Sequence, residues 1–265
     1  MSGLKTDSLL IDRTDGVVTL TLNRPDAMNA LDIDLKEALR DTLASIESDR
    51  SVRSVVLAGA GKAFCVGQDL REHARDLDKG ATELDTVRQH YNPIAQRLAS
   101  LPKPVVAAVR GTAAGAGASL ALLADFRIGG PRTTFLMAFA NVGLTADSGA
   151  SWTLPRLIGY GRAMELMLLA KPVTAEQALA IGMTTEVVDE GEALTTAQEL
   201  ASRMATGPTT GYSKIKEALL TAAGADLEKA LATEEKAQTH LGATTDHREA
   251  VDAFVAKRPP TFTGH

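Results

Sequence analysis

Twice in this chain a run of β-branched and small apolar residues stops at a glycine, and a loop and a helical stretch follow. The runs are "VRSVVLAGAG" (52–61) and "PVVAAVRG" (104–111). Both read as short buried strands, because a half-exposed strand would alternate polar and apolar residues. Their neighbours supply the rest of the pattern. "LLIDRTDGVVTLTLNRP" (9–25) reads as two strands around an Asp15-Gly16 turn. Apolar residues at 31, 35, 39, 43 and 46 recur at helical spacing, and Asp32 or Asp34 can cap that helix. Residues 83–100 predict a second amphipathic helix, and "FRIGG" and "TTFLMAF" two further short strands. Strands alternating with helices imply parallel pairing through helical crossovers, an α/β architecture. Beyond about residue 190 the pattern turns wholly helical. The expected organisation is an α/β core over 1–195 and a C-terminal helical section over 196–265.

With 265 residues the chain can bury one large α/β core. Only 4% of residues are aromatic, so that core must pack small side chains closely. A net charge of −5 gives no sign of a nucleic-acid or anionic-membrane partner. Cys65 is the single cysteine, which excludes an intrachain disulfide and reads best as a buried, inert thiol. No apolar run approaches the roughly 20 residues of a membrane helix, and the first residues lack the apolar centre of a secretion signal. A cytoplasmic protein is the expectation.

The two glycine-ended strands lead into the candidate chemistry. In "GKAFCVGQDL" (61–70) the strand end is followed by Gly67-Gln68-Asp69 at an expected helix start, where the N–H of Gln68 lacks an intrahelical partner. In "RGTAAGAGASLALLAD" (110–125) a loop of small residues enters an apolar helix, and Ala116 can present its N–H at the positive end of the helix dipole. Each corner alone is better explained by an ordinary turn or a tight helix–sheet contact. Together they can direct two amides at one oxygen atom, the arrangement of an oxyanion hole, where each donor is worth roughly 3 kcal/mol. "GAGK" lacks the length and the Ser/Thr of a phosphate-binding loop, and the histidines show no metal-ligand spacing. In "NVGLTADSGASW" (141–152) Asp147 is a lone acid among small and apolar residues. Those residues alone allow two readings, a helix N-cap and a working acid/base.

These motifs, in this order, resemble the crotonase (enoyl-CoA hydratase/isomerase) superfamily along essentially the whole chain. "LNRPDAMNAL" resembles its N-terminal signature, "KAFCVGQDL" its first oxyanion loop, "VRGTAAGAGASLALLADFRI" its second, and "AKRPPTFTG" its tail. The resemblance implies a spiral of ββα units with a C-terminal helical trimerisation region, a homotrimer or a dimer of trimers. It implies an acyl-CoA thioester as substrate, with coenzyme A entering only as part of that substrate and no metal or redox cofactor. By motif position, the backbone N–H groups of Gln68 and Ala116 hold the thioester oxygen. Gln68, Asp69, Leu70 and Arg71 lie along the pantetheine, and Arg24, Ala27 and Met28 contact the nucleotide end. Phe254 and Lys257 reach a neighbouring subunit's CoA.

The two glutamates of the family's hydratases fall at Ser119 and Phe139 here, and neither residue can act as a carboxylate. Asp147 stands where double-bond isomerases of the family carry their acid/base. Within the superfamily the motifs are most similar to the ring-1,2-epoxyphenylacetyl-CoA isomerase type, which places the chain in fatty acid or phenylacetate degradation. The resemblance therefore favours an isomerase with Asp147 as its proton shuttle. A hydratase using Asp147 and water is the alternative, and a non-catalytic acyl-CoA-binding subunit is the alternative from another class. Residues 72–95 are expected to cover the acyl chain.

Overall fold

The computed structural model describes residues 8–78 and 85–265. The chain opens with the hairpin β1 (Leu9–Thr14) and β2 (Val17–Leu22), turning at Asp15-Gly16, where both residues have positive φ. A single 3-10 turn, Pro25–Ala27, precedes α1 (Ile33–Ser48). Asp32 caps α1 by accepting the Leu35 N–H at 2.9 Å, which settles the choice between Asp32 and Asp34. Then come β3 (Ser54–Gly59), α2 (Leu70–Asp78), α3 (Asn92–Ser100), β4 (Val105–Val109), β5 (Thr112–Ala114) and α4 (Ala116–Leu123). β6 (Phe126–Gly129) and β7 (Thr134–Leu136) lead to α5 (Ala150–Ile158) and α6 (Tyr160–Leu169). β8 (Val173–Thr174), α7 (Ala175–Ala180) and β9 (Glu186–Val187) complete the α/β part. α8 (Ala193–Ala205), α9 (Thr209–Ala222), α10 (Leu227–Gly242) and α11 (Thr245–Val255) follow.

The main sheet runs β1-β2-β3-β4-β6-β9, antiparallel only in its hairpin and parallel from β2 onward. A second, three-stranded sheet orders β5-β7-β8. One side of the main sheet packs against α1 and α3 through Leu35, Leu39, Leu43, Ile94 and Leu98. The other side packs against α8, whose Ala193, Ala197, Ala201 and Ala205 recur every four residues and meet Val56, Val106 and Ile128. This is the small-residue packing that the scarcity of aromatics demanded. The expected boundary at 195/196 falls inside α8, and α8 belongs to the core. The helices that stand off the sheet begin after Ala205.

The expected helix over 83–100 is a π turn, Val87–Tyr91, running into α3, and residues 79–84 lie outside the described residues. Pro93 is the physical cause of the wide turn. It has no N–H to give the carbonyl four residues back, and its ring crowds that carbonyl away. "FRIGG" forms β6, whereas "TTFLMAF" is strand only to Leu136 and then turns as the 3-10 segment Ala138–Val142.

Candidate active site

β3 and β4 are parallel neighbours, paired from Val55↔Val105 to Ala58↔Ala108, so their C-terminal ends lie side by side. The loops leaving those ends are stitched together. Phe64 N donates to Thr112 O at 3.0 Å and Ala114 N to Cys65 O at 2.9 Å. The first loop is also bonded to the entry of α1, with Leu31 N donating to Gly67 O at 2.8 Å and Asp69 N to Leu31 O at 3.1 Å. Two glycines make the approach possible. A Cβ on Gly117 would sit 2.2 Å from Cys65 O, so α4 can rest on the first loop only without a side chain there. Gly67 has φ +87°, and a Cβ on it would stand 3.2 Å from Ala116 N. The residue before Gln68 is thus in contact with Ala116. Among the described residues, neither the Gln68 nor the Ala116 N–H donates to a protein acceptor. Ala116 opens α4, so its amide also carries the positive end of that helix.

The expected start of α2 moves by two residues. The helix begins at Leu70, and Asp69 caps it by accepting the N–H groups of Arg71 (3.0 Å) and Glu72 (3.2 Å). The ordinary-turn reading and the free amide of Gln68 therefore coexist. Asn29, at φ +56°, braces the first loop from beneath: its Nδ2 donates to Ala60 O (2.9 Å), Ala63 O (2.8 Å) and Phe64 O (3.1 Å). The "LNRPDAMNAL" stretch owes its place at the site to this side chain. Arg24 is turned inward, with Nε 2.9 Å from Asp32 and Nη2 2.9 Å from Asp69. Ala27 ends the 3-10 turn, and Met28 is partly exposed beside it.

Gln68 and Ala116 both line a cavity of about 120 Å3. Its walls include Val66, Leu70, Val87, Phe139, Val142 and Leu144, and Asp147 is the one carboxylate among the described residues lining it. Asp147 does not cap α5. The N-cap there is Gly149 with no side-chain bond, and the Asp147 carboxylate instead accepts from Ser148 Oγ at 3.0 Å. Burial raises its carboxyl above the ordinary value, while the Ser148 hydroxyl and the field of the Lys36 ammonium pull the other way. Ser119 is fully buried and its hydroxyl bonds back to Gly115 O at 3.1 Å, as a helical serine does. Phe139 presents an apolar wall to the cavity. Cys65 is enclosed, and burial pushes its thiol up to about 12.

Sequence reasoning overlooked a polar group under the first loop. Lys36 and Tyr91 are almost fully buried, and Thr86 stands beside them. The signal was present in part: Lys36 lies three and seven residues before Leu39 and Leu43, at the edge of the apolar stripe of α1. Arg71 is exposed, as are Phe254 near the end of α11 and Lys257 just beyond it, and none of the three lines this cavity.

A family profile described as enoyl-CoA hydratase/isomerase matches residues 12–265. The chain belongs to the enoyl-CoA hydratase/isomerase family. It is similar to the 1,2-epoxyphenylacetyl-CoA isomerase of Escherichia coli strain K12, at 46% identity across 94% of this chain and 95% of that one. It is also similar to the short-chain-enoyl-CoA hydratase of Clostridium acetobutylicum, at 32% identity across 96% and 97% of the two chains. A solved structure of an enoyl-CoA hydratase/isomerase family protein from Mycobacterium abscessus superposes with a TM-score of 0.94. It is 46% identical and covers 97% of this chain and 100% of that one. The α/β architecture expected for the family is therefore the one observed, with its helical C-terminal region. Among the described residues no helix is long and apolar enough to cross a membrane.

Proposed function

We propose that this protein isomerises an acyl-CoA thioester, moving a proton between two carbons with Asp147 as the single acid/base. The observation that carries the reading is the cavity lining: Gln68 and Ala116 with unengaged backbone amides, apolar side chains, and Asp147 as its one carboxylate, half-buried beside His73, Thr86 and Tyr91. The thioester oxygen accepts hydrogen bonds from Gln68 N–H and Ala116 N–H. Asp147 Oδ2 takes a proton from the carbon next to the carbonyl. The C–H electron pair moves into the thioester as an enolate, and its negative charge falls on the oxygen between the two amides. Those donors bind the enolate more tightly than the neutral thioester, so they lower the barrier and not merely KM. For a 3-enoyl thioester the pair extends over the double bond, and returning the proton to the far carbon yields the 2-enoyl product. Ser148 occupies Oδ1, which leaves Oδ2 for the proton.

The similarity to an isomerase that carries an epoxyphenylacetyl group, and the apolar wall, support a ring-bearing or aliphatic acyl group. CoA is part of the substrate, with Gln68–Arg71 along its pantetheine arm and Arg24, Ala27 and Met28 towards its nucleotide end. Because Arg24 is already paired with Asp32 and Asp69, its part in this reading is to shape the nucleotide end. A homotrimer or dimer of trimers would bring Phe254 and Lys257 of one subunit to the CoA of the next. The similarity to a hydratase keeps a second reading, in which Asp147 activates water.

Asp147→Asn is the test. It should lower isomerase turnover by about three orders of magnitude or more, as loss of an acid/base does, and leave acyl-CoA binding in place. Unchanged turnover would sink the assignment. Mass spectrometry of the product of a 2-enoyl-CoA separates the two enzymatic readings, because hydration adds one water and isomerisation adds nothing. Binding without turnover across a thioester panel would point to a non-catalytic acyl-CoA-binding subunit.

A further inference from the structure

Beneath the first loop sits a buried ammonium that the proposed chemistry does not use. The Lys36 side chain is 1% exposed. Its Nζ donates to Thr86 Oγ1 at 2.8 Å and to Gln68 Oε1 at 3.4 Å, and lies 3.7 Å from Glu72 Oε1. The Tyr91 ring lies beneath it, 5.5 Å from Nζ to the centroid, and the Tyr91 hydroxyl donates to the same Gln68 Oε1. Two donors therefore converge on the side-chain carbonyl of a residue that lines the cavity.

A charge buried this deeply costs several kcal/mol of desolvation unless it is well paired, and a leucine or methionine would fill the position without that cost. Gln68 and Thr86 line the cavity, and Glu72 follows Gln68 by one helical turn. The packing of α1 itself needs only the aliphatic stem of Lys36.

We propose that Lys36 is a positioning residue: held by Thr86, it fixes the direction of the Gln68 backbone N–H through the Gln68 side chain. An oxyanion donor misdirected by a fraction of an ångström loses stabilisation where charge develops, while substrate affinity changes little. Tyr91 supports the same carbonyl. Its phenol is pushed well above the ordinary value, first by burial and then by the neighbouring Asp147, so it remains a donor.

This inference rests on the oxyanion role proposed above for Gln68, and the experiment separates the two. The probes are 3-hexenoyl-CoA, read as formation of the conjugated 2-enoyl thioester, and butyryl-CoA in D2O, read as exchange at the α-carbon. Wild type, Asp147→Asn, Lys36→Met, Gln68→Met and the double Lys36→Met/Gln68→Met variant are compared for kcat, KM and melting temperature. Lys36→Met should lower kcat about 10- to 100-fold with KM little changed, the size typical of groups that orient a functional ligand. The double variant should lose no more than the worse single variant, because both changes remove one contact. The proposal is overturned if Lys36→Met keeps kcat within about twofold, or if the two losses multiply. Should Lys36→Met fail to fold, Gln68→Met alone decides: the same loss supports the clamp and an unaffected kcat overturns it. If wild type turns over neither probe, the reading of the site falls and the clamp with it. If Asp147→Asn is inactive while Lys36→Met keeps kcat within about twofold, only the clamp falls.

Discussion

Asp147 is held in an environment that opposes its charge, and this sets two measurable consequences. Because its carboxyl is raised in the folded protein, its contribution to stability is present below the ordinary carboxylate range near pH 4 and is lost as pH rises through the folded value. At neutral pH the ionised group therefore works against folding. Asp147→Asn should raise the melting temperature at pH 7, by about 2–4 °C for each kcal/mol relieved, and the gain should vanish in acid. Calorimetry at two pH values checks this. Ser148 supplies the hydrogen bond that favours the ionised form. Ser148→Ala should then shift the acid limb of kcat/KM to higher pH, since the base ionises later. An unmoved limb would mean that Asp147 is not the group being titrated.

At the scale of elements, the site depends on α4 lying against the first loop with nothing between them. Gly117→Ala places a methyl 2.2 Å from Cys65 O and 2.7 Å from Cys65 Sγ, a clash with backbone that no rotamer relieves. The loops must separate, so a loss of about 1–3 kcal/mol in a denaturant titration is expected, as for other overpacked cores. Turnover should fall together with stability, because Ala116 moves with α4. At the neighbouring Gly115 a Cβ meets nothing within 4 Å, and the cost of a side chain there is instead backbone strain at φ +51°. Element edges also show why part of the pattern was legible. α1 announces itself by five apolar residues at helical spacing and an Asp cap, and both are observed. The π turn before α3 is hidden, because a proline at the start of a helix and a proline that widens the preceding turn look alike in a single sequence.

The whole molecule leaves apolar surface uncovered on its C-terminal helices. α10 is sixteen residues long and buries none of them, and Leu227 and Leu231, one turn apart, are 74% and 54% exposed. α11 ends in Phe254 and Val255, also well exposed. Such a face suits the subunit contacts of the proposed homotrimer. Leu227→Glu/Leu231→Glu should lower the molecular mass seen by sedimentation without loss of helicity by circular dichroism. An unchanged mass would move the contact elsewhere. Of the C-terminal helices, α9 is tied to the core, with Lys216 Nζ 2.7 Å from Asp125 and donating to Lys103 O at 3.0 Å.

By itself the sequence determined the buried parallel strands, the capped helix between them, the glycine-ended corners and the helical C-terminal quarter. Each of these is written in local spacing, which sets which residues can face water. It also made Ser119 and Phe139 unable to supply a carboxylate, because that is a matter of residue type. Only the tertiary structure decided that the two corners meet, because their approach depends on strand order and on backbone bonds between residues some fifty positions apart. It set aside the cap reading of Asp147, since Gly149 takes the helix end and Asp147 lines the cavity. It also placed Lys36, Tyr91 and Thr86 beneath Gln68. A buried polar group is defined by its partners, and no periodicity within one segment names partners that lie in another.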